Sequence, residues 1–241
     1  MMYSGIIYAW QPLLCTQRQG FIVCRKQQAG FTLIEIAIVL VVVGLLLGGM
    51  LKGQQLINSA KLKNLTNDFR GVQIAIYAYQ DRFRATPGDD AAASTHVNGA
   101  TNPTTPAGVI GNARINGKFD SANGTDESFL IWQHLRLAGL LTGSPDTGAA
   151  DYIPRNADGG IIGVTSEPVL TAPTTPYPGN FFICSRSIQG RYVRQMDTSF
   201  DDGDTQTGTI RAIANDVSAQ PDASVVGPAD DATLYTVCSA L

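Results

Sequence analysis

Four groups of residues have types and spacings that could do chemistry. The first is Glu35, a carboxylate inside "FTLIEIAIVLVVVGLLLGGML", an otherwise almost wholly apolar run from Phe31 to Leu51. An ionisable group at membrane depth is costly, and one that is kept points to a function. The second is Asp201, Asp202 and Asp204 around Gly203. Hard oxygens at alternating positions of a tight turn suit Ca²⁺. No glutamate stands at the distal offset an EF-hand needs, and aspartate also favours turns simply because it bonds its own backbone. The third is Cys184 and Cys238. An oxidising compartment would let them pair, and closing a loop of about 55 residues stabilises a fold by roughly 4 kcal/mol in the chain-entropy model. Two separate buried thiols are the alternative. The fourth is the two histidines, His96 and His134. His134 sits beside Trp132 and Leu135 in an apolar segment and reads as a packed structural histidine. There is no G-x-S-x-G elbow, H-E-x-x-H helix, phosphate-binding glycine loop or Cys-x-x-Cys, and nothing sets a serine or aspartate beside a histidine. The expectation is a protein that is not an enzyme.

The elements that must position these residues begin with the apolar run. Phe31–Leu51 makes about 32 Å of helix at 1.5 Å per residue, enough to cross a bilayer. Arg25 and Lys26 precede it and only Lys52 follows closely. The positive-inside bias puts the start in the cytoplasm and the remainder outside. A cleavable secretory signal fits poorly, because the run is too long and no small-x-small site follows it. Gly44 and Gly48 form a G-x-x-x-G spacing, which permits close helix approach and equally permits local melting. What remains of the 241 residues is room for one ordinary globular domain. Three of the 17 basic residues and none of the 20 acidic ones precede Gly30, so the outer part is more acidic than the net charge of −3 suggests. That balance opposes a general nucleic-acid grip. Arg186, Arg191, Arg194 and Arg211 form a modest basic group, which leaves nucleic acid an unfavoured but open partner.

Read as one unit, "RKQQAG" followed by "FTLIEIAIVLVVVGLLLG" resembles the N-terminus of a type IV prepilin or type II secretion pseudopilin. The matching elements are a short basic stretch, Gly30, Phe31, "TLIE" and the apolar run. The resemblance implies that a membrane prepilin peptidase cuts between Gly30 and Phe31 and methylates the new Phe31 amine. Glu35 is then the fifth residue of the mature chain. In a bundle of such helices it would face the Phe31 amine of a neighbouring subunit, and any other register would bury a charge alone. Glu35 on this reading sets subunit register. The leader departs from the family, being long and apolar ("GIIYAW", "FIVC"). One explanation is a misassigned start: initiation at Val23 would leave a leader that ends "CRKQQAG", whereas a start at Met1 or Met2 would need another account of the extension.

Past the span, Leu62, Leu65, Phe69, Val72, Ile76, Tyr79 and Phe83 recur at alternating steps of three and four. That stripe predicts an amphipathic helix, packed against its own head rather than in a coiled coil. Lys61, Lys63, Asp68, Arg70 and Arg82 fall on other faces and read as solvated. The helix should stop at "RATPGDD". After a Gly-, Pro- and Thr-rich loop, "TDESFLIWQHLRLAGLL" predicts a second helix with Thr125 as N-cap. The resemblance extends here: many pilin-like proteins carry "Y-x-A-L-P-G-D", then "W-x-H-L-x-x-A-G-L", then "D-D-G-x-x-x-T-G". This chain has "FRATPGD" at 83–89, "WQHLRLAGLL" at 132–141 and "DDGDTQTG" at 201–208. Short strands are expected at 160–165, 180–187, 207–213 and 233–240. Val193, Met196 and Phe200 suggest a short helix between two of them. The family implies a disulfide between Cys184 and Cys238, tying two outer segments.

The expected architecture is α+β, a long N-terminal helix packed on a small antiparallel sheet. Its parts are a leader at 1–30, a membrane segment at 31–51, a stem at 52–85 and a head at 86–241. The expected role is a filament subunit of a type IV pilus or type II secretion pseudopilus. Its partners would be prepilin peptidase, other subunits and the inner membrane, with the head periplasmic. The rival is a membrane-tethered binding module, for DNA, surfaces or calcium, that does not polymerise.

Overall fold

The computed structural model describes residues 14–18, 21–25 and 31–241. They fall into two units, one ending at Gln55 and one running from Leu56 to Leu241. In the first, strands β1 (Leu14–Arg18) and β2 (Phe21–Arg25) pair antiparallel. Gly30 lies outside the described residues.

Helix α1 (Leu33–Phe83) is 51 residues long. No proline falls within it, and Pro87 follows its end. Gly44, Gly48 and Gly49 leave it continuous, and a Cβ added at any of them would meet nothing within 4 Å. From Leu33 to Leu51 its apolar side chains are exposed, and none of its most apolar window is buried.

The later part of α1 behaves differently because its stripe finds a partner. Leu65, Phe69, Val72, Ile76 and Tyr79 are buried, with Leu62 and Phe83 packed at the rim of the same core. Each such side chain taken fully out of water contributes about 1.5–3 kcal/mol. One basic residue of this stretch, Lys61, is partly buried, against the expectation that it is solvated, whereas Arg70 is exposed as expected. Lys61 pairs with Asp158 and lies 5.1 Å from the Tyr192 ring centre. Arg70 lies at 5.1 Å from that of Phe200.

The partner is a four-stranded antiparallel sheet in the order β3-β4-β6-β5. Its strands are β3 (Ile162–Thr165), β4 (Phe182–Gln189), β5 (Ile210–Ala214) and β6 (Leu234–Ala240). Alternation of side chains along a strand gives the sheet two different faces. Ile162, Val164, Ile183, Ile188, Ala212, Tyr235 and Val237 face the core shared with α1. Phe182, Cys184, Ile213, Cys238 and Ala240 face a second cluster, covered by Phe119, Val169, Leu170 and Ala223 from the loops. In register, Gly163, Cys184, Cys238 and Arg211 form one row across all four strands. Gly163 is required there, because a Cβ would come within 1.9 Å of the Phe119 carbonyl oxygen.

The disulfide therefore joins the two central strands rather than two outer segments. Strand order is a long-range property that local spacing does not report.

Three further helices complete the head: α2 (Ala93–His96), α3 (Glu127–Leu137) and α4 (Gly190–Phe200). The N-cap of α3 is Asp126, one residue after the expected Thr125. Asp126 has the extended backbone a cap needs and its carbonyl accepts the Leu130 N–H at 2.9 Å. Its carboxylate turns outward to Asn123 and Thr105. The helix closes on "AGL" in a Schellman motif. Leu140 N–H donates to the Leu135 carbonyl at 2.9 Å, Gly139 N–H donates to the Arg136 carbonyl at 2.9 Å, and Gly139 has φ +73°.

Candidate functional site

The head of α1 is built by a reciprocal pair. The Thr32 hydroxyl accepts the Glu35 N–H at 3.3 Å, and Glu35 Oε2 accepts the Thr32 N–H at 3.0 Å and the Thr32 hydroxyl at 2.9 Å. This is a capping box, with Thr32 at N-cap and Glu35 at N3. The sequence signal was "TLIE" itself, the T-x-x-E pattern before an apolar run. Glu35 therefore has a role within its own chain that the charge-pair reading missed. The capping bonds to Glu35 use one carboxylate oxygen, so the second can take another donor. Phe31 and Glu35 are both exposed, as are the apolar side chains that follow them. An apolar rod of this kind, with an acid one turn in, is suited to lie in lipid or against copies of itself.

The end of the stem is held by a polar cluster. Gly88 has φ +89°, and a Cβ there would come within 2.4 Å of the Glu127 carbonyl oxygen. Its N–H donates to His134 Nδ1 at 3.0 Å, while His134 Nε2 lies 2.8 Å from the Thr101 carbonyl oxygen. Nδ1 accepts, so Nε2 carries the proton and donates. Burial pushes the His134 pKa down, which keeps it neutral. It is the packed structural histidine expected. His96 instead sits 2.7 Å from Asp90, which also accepts the Tyr79 hydroxyl at 2.8 Å and the Ala92 N–H at 3.0 Å.

Beside this cluster lie Asp89 and Glu127, both buried. Asp89 accepts the Gly111 N–H and Glu127 accepts the Asn116 N–H. Burial raises both pKa values, and for Glu127 the nearby Asp89 charge adds to the effect. The pair holds loops onto the start of α3.

Cys184 and Cys238 are bonded, with Cα atoms 4.0 Å apart and both side chains fully buried. The four arginines are each engaged within the head. Arg186 pairs with Asp120 at 2.8 Å, Arg194 pairs with Asp231, and Arg191 donates to Gln189. Arg211 is 2% exposed and donates to the carbonyls of Thr175 at 2.9 Å and Pro176 at 2.6 Å. It ties a loop to the sheet, so it is not a surface arginine able to meet a phosphate.

At the C-terminal end of α4, the carboxylates of Asp197, Asp201 and Asp202 offer ligand atoms that all lie within 4.8 Å of one another. Asp204 is not one of the three; it accepts the Gln206 N–H at 3.0 Å. Asp197 was not singled out in the sequence. It stands at i+4 from Val193 and one after Met196, on the stripe α4 buries, and an acid at such a position was the available signal. Burial, then the charges of Asp202 and Asp201, push its pKa up to about 7.

The comparisons bear on the N-terminus. Residues 25–51 match the family model for the prokaryotic N-terminal methylation motif. The comparisons with curated proteins and with solved structures each found no match. The matched segment includes the capping pair, the exposed apolar stretch and the Gly30–Phe31 bond, and through it the chain carries the prepilin-type cleavage and methylation motif of the type IV pilin family.

Proposed function

We propose that this chain is a structural subunit of a type IV pilus or a type II secretion pseudopilus. Prepilin peptidase severs the Gly30–Phe31 bond and methylates the Phe31 amine. The mature chain waits in the inner membrane with its N-terminus at the cytoplasmic side and its head in the periplasm. It then assembles through the first part of α1. The observation that carries this is the conjunction of the methylation motif at residues 25–51 with an α1 segment whose apolar side chains are exposed and unpacked among the described residues. The Cys184–Cys238 bond supports an oxidising location for the head.

Glu35 carries two duties on this reading. Its Oε2 closes the capping box, and its charge meets the Phe31 amine of an adjacent subunit. Substitution separates them. Glu35→Gln preserves the reciprocal hydrogen bonds, because glutamine serves at N3 as well as glutamate does, but removes the charge. Glu35→Ala removes both. Both variants should be processed and remain membrane-bound, and both should lose most sheared filament. Should Glu35→Gln yield filament at the unsubstituted level while Glu35→Ala does not, Glu35 is only a helix cap. N-terminal mass analysis of the recovered chain should show a methylated Phe31. A chain trimmed elsewhere would remove the charge partner and the assembly model with it. A mature chain found in cells but never in sheared filaments would instead leave the tethered binding module.

A further inference from the structure

Helix α1 carries a glycine that the surrounding fold does not require. Gly71 lies well inside the helix, where glycine is a poorer helix former than alanine. A Cβ built there would meet nothing within 4 Å. An interior helical glycine has a packing or functional reason, and no close contact among the described residues supplies one. The space it leaves open is a groove of about 220 Å³. Val72, Leu141, Pro154 and Ile162 make its walls apolar. Two arginines, Arg136 and Arg155, border it with a single acid, Asp68. Among the described residues neither arginine is in a salt bridge. An apolar cavity of about 150 Å³ already admits benzene, so the groove has room for a branched aliphatic side chain.

A surface of matching kind lies on the other flank of the stem. Asn67, Asp68, Gly71 and Val72 border the groove, whereas Phe69, Arg70 and Gln73 look toward Met196 and Phe200 of α4. At the start of α4, Val225 is 68% exposed and Leu234 43%. Gly190 gathers the segments that carry them. Its N–H donates to the Thr233 carbonyl at 2.8 Å, and a Cβ there would come within 3.1 Å of Val226 Cγ1. Asp230 and Asp231 fall between the two exposed apolar residues, and Arg194 offsets part of their charge by pairing with Asp231. The patch is an apolar knob with an acidic border, and the groove is an apolar hollow with a basic one.

We propose that the groove over Gly71 receives the Val225 and Leu234 knob of a second copy of this chain. The inference rests on the filament reading and adds to it a contact between heads. Groove and knob are different surfaces on opposite flanks, so the contact is heterologous. Each copy offers its knob to one neighbour and its groove to another, which continues as an open array instead of closing as a pair. Leu234 enters over Gly71, where the missing side chain lets it approach the helix backbone. Asp230 and Asp231 come beside Arg155 and Arg136, and these charges steer the encounter and fix its register.

The test uses the full chain expressed in cells. Once the leader is removed, Cys184 and Cys238 are the only cysteines and are bonded to each other, so an added pair reports alone. Thr142 stands on the groove. Thr142→Cys and Leu234→Cys in one chain should give a ladder of dimers, trimers and higher multimers when sheared filaments are mildly oxidised. Either substitution alone should give none. Gly71→Leu fills the groove. The purified variant should melt at or above the unsubstituted chain, by up to about 2–4 °C, while filament yield falls about tenfold or more. Leu234→Asp alters the knob alone and should lower filament yield likewise, with melting unchanged. If Gly71→Leu does not fold, Leu234→Asp and the cysteine pair decide. Filaments that form but give no ladder, or that give dimers from a single cysteine variant, would overturn the contact and leave the subunit role standing. So would full filament yield from Gly71→Leu and Leu234→Asp. Absence of the unsubstituted chain from sheared filaments would instead overturn the filament reading, and this contact with it.

Discussion

Opening the Cys184–Cys238 bond tests how much of the head's stability lies in its unfolded state. The two residues are 54 apart in sequence, and a closed loop of that size removes about 4 kcal/mol of chain entropy from the unfolded ensemble. The native state gives little back on reduction. Cys184 and Cys238 are already directly opposed in the β4–β6 ladder, so the strands keep their register without the bond. Both sulfurs are enclosed by Phe119, Phe182, Ile213 and their neighbours, so reduced thiols stay packed, while alanine at both sites would add a cavity cost. For a domain of this size 1 kcal/mol moves the melting point by about 2–4 °C, so reduction should lower it by roughly 8–16 °C. The assay is thermal melting by circular dichroism of the oxidised chain, the reduced chain and the double variant Cys184→Ala, Cys238→Ala. The oxidised form should melt highest and the double variant lowest, with the same far-ultraviolet spectrum below the transition. If oxidised and reduced chains melted within about 3 °C of each other, the entropy argument would fail for this fold.

Other perturbations follow from the same core. Glu127 and Asp89 have pKa values raised by burial. The stability they contribute is complete below the ordinary carboxylate range and lost as pH rises through the raised values. Melting temperature should therefore fall on going from acidic to alkaline pH, and Glu127→Gln should flatten that fall by up to about 3–5 °C per pH unit, the effect of one proton. Gly88→Ala forces φ +89° on a residue with a Cβ and drives that atom against the Glu127 carbonyl; a loss of about 2 kcal/mol or more is expected in denaturant unfolding. Tyr79→Phe removes the hydroxyl donated to the buried Asp90 and should cost about 1.5–3 kcal/mol by the same assay.

How legible each part was depends on the range of the interaction that fixes it. The stem stripe from Leu62 to Phe83 could be read directly, because helical periodicity is local and the residues that recur are those that pack. The four strands were placed to within a few residues for a similar reason, since turn residues and apolar runs bound them. Their order was not legible, and with it went the location of the disulfide: nothing near Cys184 says that β6 rather than β3 will lie in the middle. Arg211 was misread for the same reason. It looks like a surface cation until the loop at Thr175 and Pro176 folds over it. Phe200 failed in the opposite sense, remaining 41% exposed although it continues the α4 stripe. The stripe outlasts the surface it packs on.

The acids of this chain show what a complete and an incomplete environment look like in one molecule. Asp90 receives a tyrosine hydroxyl, a backbone N–H and a histidine. Asp89 and Glu127 each receive a backbone N–H. The fold thus has a repeated solution for a carboxylate it buries, which is to bring donors to it. Asp197 and Glu35 are held differently. Asp197 is enclosed with neither carboxylate oxygen hydrogen-bonded, and the carboxylates of Asp201 and Asp202 have atoms within 4.8 Å of its own. Glu35 is satisfied at one oxygen within a surface that is otherwise hydrocarbon. A local rule broken without compensation inside the chain is expected where the compensation comes from outside it. On the proposed function, the partner that meets Glu35 arrives with an apolar surface, because a cation that reached the acid without one would leave the flanking isoleucines and valines in water.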